Sequence, residues 1–287
     1  MIVSERTFQG VGGAELFYRR ATPLEAPAKG VIIAVHGHGD HSGGLVNMCE
    51  ALVQGGYLVY SADSRGHGHS PGIRGFIRSW DEYLGDLHRF RELVVSENPQ
   101  LPLFIIGHSM GGVISADYVL KHASGVSGLI LIAPAISYEM TTFEKWLIRL
   151  LGKLRPQLTI QKSGSVEGLT QDPDMMAKLQ SDPLRHSTVT PGLGLGLSQA
   201  IPRLMKQAHS FQLPLLLQFG REDKTTPPEK LEQFLQAVGS QDKKSYAYST
   251  MRHRPFDDLG RDHFLSDLIG WLEQHTPTAE HAKKTDV

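Results

Sequence analysis

Short and almost unbroken apolar runs punctuate this 287-residue chain: VIIAV (31–35), YLVYSAD (57–63), LPLFIIG (101–107), GLILIAP (128–134) and LPLLLQFG (213–220). Continuity, rather than apolar–polar alternation, marks strands buried on both faces, as in a parallel sheet covered by helices. KSYAYST (244–250) is a weaker final strand. Between these runs the apolar spacing becomes helical, over 44–54, 80–96, 110–121, 229–238 and 257–274. Strand–helix alternation of this kind predicts a doubly wound α/β sheet, and the stretch around ELFYRR (15–20) adds an N-terminal antiparallel hairpin.

The rhythm breaks between 136 and 209, which holds no strand-like run. An insertion of about 70 residues is too long for a bare loop and predicts a mostly helical cap, or lid, on a core made of 1–135 and 210–275. Within it, FEKWLIRLLGKL (143–154) puts Phe143, Trp146, Leu147, Leu150, Leu151 and Leu154 on one helical face, with Lys145, Arg149 and Lys153 elsewhere. Two readings follow: a cap helix packed on the body, or a basic amphipathic helix lying on a lipid surface. PGLGLGLSQ (191–199) is glycine-rich, but it follows no strand and lacks the Lys-Ser/Thr ending of a phosphate loop. The polar segment 276–287 reads as a flexible tail.

Composition adds exclusions. A hydrophobic share of 40% and a charged share of 21% are those of an ordinary globular protein, and a net charge of −1 gives no reason to expect nucleic acid as a partner. One cysteine, Cys49, allows no intrachain disulfide and suits a reducing compartment. The N-terminal MIVSERTFQG lacks the basic-then-apolar pattern of a signal peptide, and no run reaches the ~18 apolar residues of a membrane span. The expected location is the cytoplasm.

Candidate chemistry centres on Gly107-His108-Ser109-Met110-Gly111-Gly112, a GxSxG motif between an apolar strand and a helical segment. A nucleophile on so sharp a turn needs small residues two positions away on either side, and Gly107 and Gly111 supply them. The turn leaves the Met110 amide at a helix N-terminus, facing a developing oxyanion. A serine hydroxyl needs a base, and the base an acid to set its tautomer. In this topology acid and base follow in the order Ser, Asp/Glu, His, each past a later strand. Asp223 after LPLLLQFG is the candidate acid, with adjacent Glu222 as the alternative. His253 is the candidate base, whereas His263 falls inside a helix. A second oxyanion donor is expected from the His38 amide, after the His36-Gly37 turn.

The same turn, His36-Gly37-His38-Gly39-Asp40-His41, has the HxHxDH spacing of a dinuclear zinc site. That reading needs a further His about sixty residues on, a bridging Asp, and a β-sandwich half ahead of the motif. Only about thirty residues precede His36, and His108 is already used in GxSxG. His38, His41, His67 and His69 are therefore expected to be hydrogen-bonded loop histidines, bracing Asp40, Asp63 or backbone carbonyls.

HGHGDHSG (36–43), DSRGHGHS (63–70), GHSMGG (107–112), Ala133-Pro134, SDPL (181–184), the Asp223 turn and His253 run in order over about residues 10–275. In these motifs the chain resembles the α/β-hydrolases of the monoacylglycerol lipase and lysophospholipase family. The resemblance implies a Ser109–Asp223–His253 triad, an oxyanion hole from the amides of His38 and Met110, and no cofactor. It also implies a mobile cap that touches membranes and guides an acyl chain to the serine, hence a small lipid ester as substrate. The apolar cap residues Phe143, Trp146, Leu147 and Leu150 then become substrate-binding candidates. Departures occur at His38, where many members carry a small residue; at Asp40, often Glu; at Gly44, often Arg; and at Phe256, where some carry a second His. These positions line or adjoin the headgroup pocket, which makes Asp40 another substrate-binding candidate. The expected activity is release of fatty acid from a monoacylglycerol, with a lysophospholipase or general carboxylesterase as the alternative. A proline-releasing peptidase would need an acidic cap residue for a free amino terminus, and none is identifiable. A non-catalytic binding protein on this fold would be expected to have lost a triad member.

Overall fold

The computed structural model describes residues 1–24, 27–138, 141–162 and 165–277. Of the 276–287 tail, all but the first two residues lie outside the described residues. Its strands are β1 (Ile2–Gln9), β2 (Glu15–Thr22), β3 (Gly30–Val35), β4 (Tyr57–Ala62), β5 (Leu103–His108), β6 (Gly128–Ile132), β7 (Ile160–Gln161), β8 (Thr188–Val189), β9 (Leu215–Gly220) and β10 (Lys243–Tyr248). Its α-helices are α1 (Val46–Gln54), α2 (Trp80–Glu97), α3 (Met110–His122), α4 (Thr142–Leu154), α5 (Pro173–Ser181), α6 (Pro191–Gln207), α7 (Pro228–Ala237) and α8 (Arg261–His275).

Eight strands form one sheet in the order β1-β2-β4-β3-β5-β6-β9-β10. β1 and β2 pair antiparallel, β2 joins β4 antiparallel, and every pairing from β4 to β10 is parallel. The continuous apolar runs are explained by two-sided burial. Val31, Ile33, Val35, Leu103, Ile105, Leu129 and Leu131 point into the layer built with α2, α3 and α7. Their neighbours Ile32, Ala34, Phe104, Ile106, Ile130 and Ile132 point into the layer built with α1 and α8. This places the expected α/β-hydrolase architecture on the page, with the chain turning from strand to helix at the C-terminal ends of β3, β5, β9 and β10.

The expected helix over 257–274 is shorter. Gly260, at φ +80°, interrupts it, leaving a single 3-10 turn at Pro255–Asp257 ahead of α8. The segment between β6 and β9 is mostly helical as expected, but it also contains β7 and β8, a two-residue antiparallel ladder too short for any periodicity to announce. Nor is this segment a detached lobe. Leu193, Ala200 and Leu204 of α6 belong to the main core. Arg203 of α6 binds buried Asp117 of α3, which also accepts from Trp80 Nε1 of α2 at 2.8 Å.

α4 packs on the body through one side and leaves another exposed. Its start is secured by a capping box between Thr141 and Glu144. Ile148 faces Gly194 and Gly152 faces Leu195, so one side packs on α6. Phe143, Trp146 and Leu150 are 67%, 59% and 41% exposed, and Leu154 is exposed with them; Leu147 is half-buried. The helix carries apolar side chains on more than one face, and α6 covers only one.

Candidate active site

Ser109 sits between β5 and α3 at φ 53°, ψ −119°, a backbone region costly for a residue with a side chain. The flanking glycines are there for space. A Cβ on Gly107 would lie 2.5 Å from the Gly111 carbonyl oxygen, and one on Gly111 would lie 2.2 Å from that of Val35. Ala135 N–H donates to the Ser109 carbonyl at 2.9 Å, and Ser109 N–H donates to Ile132 at 3.0 Å, so the strained residue is held from both sides.

Ser109, His253 and Asp223 form one hydrogen-bonded line. Ser109 Oγ lies 2.9 Å from His253 Nε2, and His253 Nδ1 lies 2.8 Å from Asp223 Oδ2. Asp223 also accepts the amides of Thr225 (2.7 Å) and Thr226 (2.9 Å) on Oδ1, and the Thr226 hydroxyl on Oδ2 at 2.5 Å. His253 and these hydrogen bonds hold its carboxyl below the usual carboxylate range, against the opposing effect of burial. An ionised acid leaves His253 Nδ1 as the protonated nitrogen and Nε2 free to accept from the serine. Glu222 is exposed and His263 projects from α8, so neither alternative lies in this line.

Sequence reasoning missed the groups that hold the base. His108 Nε2 donates to the His253 carbonyl at 3.0 Å, which turns the variable position of GxSxG into a strut under the loop that carries His253. Arg252 and Arg254 flank His253. Arg252 Nη1 donates to the carbonyls of Glu167 (2.6 Å) and Thr170 (3.2 Å), and Arg254 N–H donates to Leu169 at 2.8 Å, so the segment between β6 and β9 is fastened to the loop that carries His253. The only sequence-level sign was an alternating Arg-His-Arg.

The loop 36–41 lies against Ser109: a Cβ on Gly37 would be 3.0 Å from that of the serine. Among the described residues, the amides of His38 and Met110 donate to no other protein group, which leaves both free for a ligand oxygen.

Asp40 departs from the expectation that it binds substrate. It is 2% exposed, and both oxygens are engaged, Oδ1 by Arg185 at 2.7 Å and Oδ2 by Arg254. The two guanidinium groups keep it ionised, well below the usual carboxylate range, despite burial. Gly44 belongs to the same cluster, because a Cβ there would collide with the Asp40 carboxylate and its carbonyl accepts from Arg254 Nη2 at 2.5 Å. The reason is steric and electrostatic together: Arg254 reaches in from the base loop and occupies the carboxylate. Phe143, Trp146 and Leu150 likewise face outward rather than lining an enclosed channel.

The histidine cluster differs in membership from the one expected. His36, His38, His67 and His186 form it, with ring centroids 4.7–5.7 Å apart. His41 instead binds Asp182 at 2.8 Å, and His69 lies over Phe17. His36 Nδ1 donates to the Gly37 carbonyl (2.7 Å), and its Nε2 accepts from Ser64 N–H (2.9 Å). His38 Nε2 donates to Thr188 (2.8 Å) and His67 Nδ1 to Arg65 (3.1 Å). The expected bracing of backbone carbonyls is thus present, while Asp63 braces the amides of Ser42 and His69. Among the described residues, no three His, Cys, Asp or Glu side chains are placed to share a metal ion.

The chain is similar to the monoacylglycerol lipase of Mycolicibacterium smegmatis, at 29% identity over 95% of this chain and 98% of that one. Among solved structures it resembles a soluble variant of Saccharomyces cerevisiae monoglyceride lipase in complex with a substrate analogue. The TM-score there is 0.88, with 27% identity over 97% of both chains. It also resembles the Paleococcus ferrophilus monoacylglycerol lipase, with TM-score 0.82 and 28% identity over 91% of this chain and 99% of that one. A family model described as serine aminopeptidase, S33, matches residues 26–260, and on that match, with a sheet and serine turn of α/β-hydrolase form, the chain belongs to this Hydrolase_4 family of serine hydrolases.

Proposed function

We propose that the protein hydrolyses monoacylglycerols, or closely similar single-chain acyl esters, through an acyl-enzyme on Ser109. The observation that carries this reading is the Ser109–His253–Asp223 line beside two unengaged amides, in a chain whose full-length relatives are named monoacylglycerol lipases. Ser109 Oγ attacks the acyl carbonyl as its proton passes to His253 Nε2. Ionised Asp223 stabilises the resulting imidazolium. The His38 and Met110 amides hold the oxyanion, His253 protonates the departing glycerol oxygen, and water then repeats the sequence to free the fatty acid. No step calls on a cofactor.

The 136–209 segment acts as the cap. Outward-facing Phe143, Trp146, Leu150 and Leu154, flanked by Lys145, Arg149 and Lys153, favour transient contact of α4 with a lipid surface, from which a single acyl chain enters. Among the described residues no helix is long and apolar enough to cross a membrane, which accords with a peripheral mode of contact. We place the protein in the cytoplasm on the strength of its single, buried cysteine. Ester hydrolysis rather than aminopeptidase action is favoured by the names of the relatives.

Fluorophosphonate labelling should modify Ser109 and be lost in Ser109→Ala. A rate profile across monoacylglycerols, lysophospholipids and simple esters of graded chain length should peak on monoacylglycerols. A peak on lysophospholipids or short esters would give the activity to those substrates instead, and an unlabelled wild-type protein would refute catalysis.

A further inference from the structure

The His38 side chain has no part in the reaction as written, which asks only for its backbone N–H. The ring is nevertheless fully engaged, and the structure shows what it touches. The peptide that carries the His38 amide is the Gly37–His38 unit. Its carbonyl end is anchored in the core, where Gly37 O accepts from His36 Nδ1 at 2.7 Å and from the Asp40 amide at 3.3 Å. Glycines at 37 and 39 leave the rest of the turn soft, and Gly39 sits at φ +70°. The second anchor is the His38 ring. Its Nε2–H donates to the Thr188 carbonyl at 2.8 Å, and its faces and edges meet His67 and His186 at centroid distances of 5.7 and 5.4 Å.

Thr188 belongs to the cap. It is buried, pairs with Gln161 in the β7–β8 ladder, and takes a further hydrogen bond from Gln161 Nε2 at 2.9 Å. The neighbouring cap residue His186 donates its amide to the Gly39 carbonyl at 3.1 Å. A Cβ on Gly39 would stand 2.0 Å from the His186 carbonyl oxygen, so the cap backbone is pressed directly onto the turn. Burial, with Lys162, Arg185 and His36 nearby, pushes the His38 pKa down to about 4. The ring is therefore neutral at ordinary pH, with one N–H, and the Thr188 carbonyl fixes that proton on Nε2.

We propose that His38 is a positioning residue: through its imidazole hydrogen bond to Thr188, docking of the cap aligns the oxyanion-binding amide, so the hole is complete only with the cap in place. This rests on the proposed assignment of that amide. The alignment is then a property of two segments 150 residues apart in sequence.

Three substitutions test it with one short and one long acyl ester. His38→Ala removes the ring, His38→Phe keeps its bulk without the N–H, and His38→Gln restores a donor. His38→Ala and His38→Phe should lower kcat about tenfold to a hundredfold, short of the ~10²–10³ that follows complete loss of a donor. KM should stay within about threefold. His38→Gln should recover about tenfold over His38→Phe. Should His38→Ala fail to fold, the Phe–Gln pair still decides. Equal kcat for Phe and Gln, or a loss carried by KM alone, would overturn the proposal. An inactive wild-type enzyme would instead count against the catalytic assignment itself.

Discussion

Replacing Arg254 by methionine would isolate a buried charge with every nitrogen committed. Its guanidinium is 1% exposed on the side chain, and each nitrogen has a partner: Nε to Asp257 Oδ2 at 2.7 Å, Nη1 to Asp40, and Nη2 to the Gly44 carbonyl at 2.5 Å. The cation also lies 4.8 Å from the Phe256 ring centroid. Removing it leaves Asp40 with Arg185 and Asp257 with Asn47, so each carboxylate keeps one partner. Breaking a buried pair from one side costs about 3–5 kcal/mol, because an uncompensated charge remains. Unfolding entropy of about 2.1 cal/mol/K per residue gives this chain about 0.6 kcal/mol/K in total, so Tm should fall by roughly 5–8 °C.

Asp40→Asn should cost a similar amount. The double variant should lie closer to wild type than the sum of the singles, with a coupling of about 1–3 kcal/mol. Thermal unfolding of the four proteins followed by circular dichroism is sufficient. The pH dependence carries a sign. A carboxyl whose folded pKa is depressed contributes stability above its unfolded value, near 3.9, and loses it as pH falls toward the folded one. The advantage of wild type over Asp40→Asn should therefore be flat from about pH 8 to about pH 5 and shrink below that. A single-variant Tm within about 2 °C of wild type, or strictly additive singles, would refute the reasoning.

Three other outcomes are expected. Gly39→Ala combines a left-handed backbone with a 2.0 Å approach to the His186 carbonyl, and should destabilise by about 1–3 kcal/mol while speeding amide exchange in 182–190; unchanged exchange would separate the turn from the cap. Trp146→Asp lies on an exposed face, so stability should change by no more than about 0.5 kcal/mol, yet vesicle binding and long-chain hydrolysis should drop; equal loss on short and long esters would remove α4 from lipid contact. Burial and neighbouring cations push both His38 and His186 down to about 4. Both imidazoles therefore favour the folded state above the unfolded value near 6.5, and that contribution fades as pH falls from there toward 4. Thermal scans at about pH 7 and pH 5 should show a smaller drop in His186→Asn than in wild type.

The sheet was legible because burial on two faces leaves continuous apolar runs, and Ser109 because its turn demands glycine at 107 and 111. Asp223 could be separated from Glu222 only by the fold, which buries one and exposes its neighbour. His108, Thr226 and Arg254 left no comparable mark. A buried polar side chain is chosen by a partner distant in sequence, such as Asp40 for Arg254 across 214 positions, and that pairing has no period. For α4 the sequence left two readings open for a related reason: spacing shows that apolar residues share a side, but not which side a neighbour will cover. The start of α8 was misplaced because Gly260, within an otherwise helical pattern, takes a left-handed conformation.

The turn His36–His41 shows how one short string can suggest a metal site and build something else. Ligand spacing alone requires only that imidazoles and carboxylates be near one another; coordination requires that their lone pairs converge. Here they diverge. His36 holds the carbonyl of the peptide next to Ser109, His38 reaches up to Thr188, Asp40 turns down to Arg254 and Arg185, and His41 crosses to Asp182. Three of these four side chains grasp the 182–188 segment, and Asp40 simultaneously grasps the residue after His253. His38, Asp40, Gly44 and Arg254 are therefore parts of one joint. A substitution at any of them should be felt at the others.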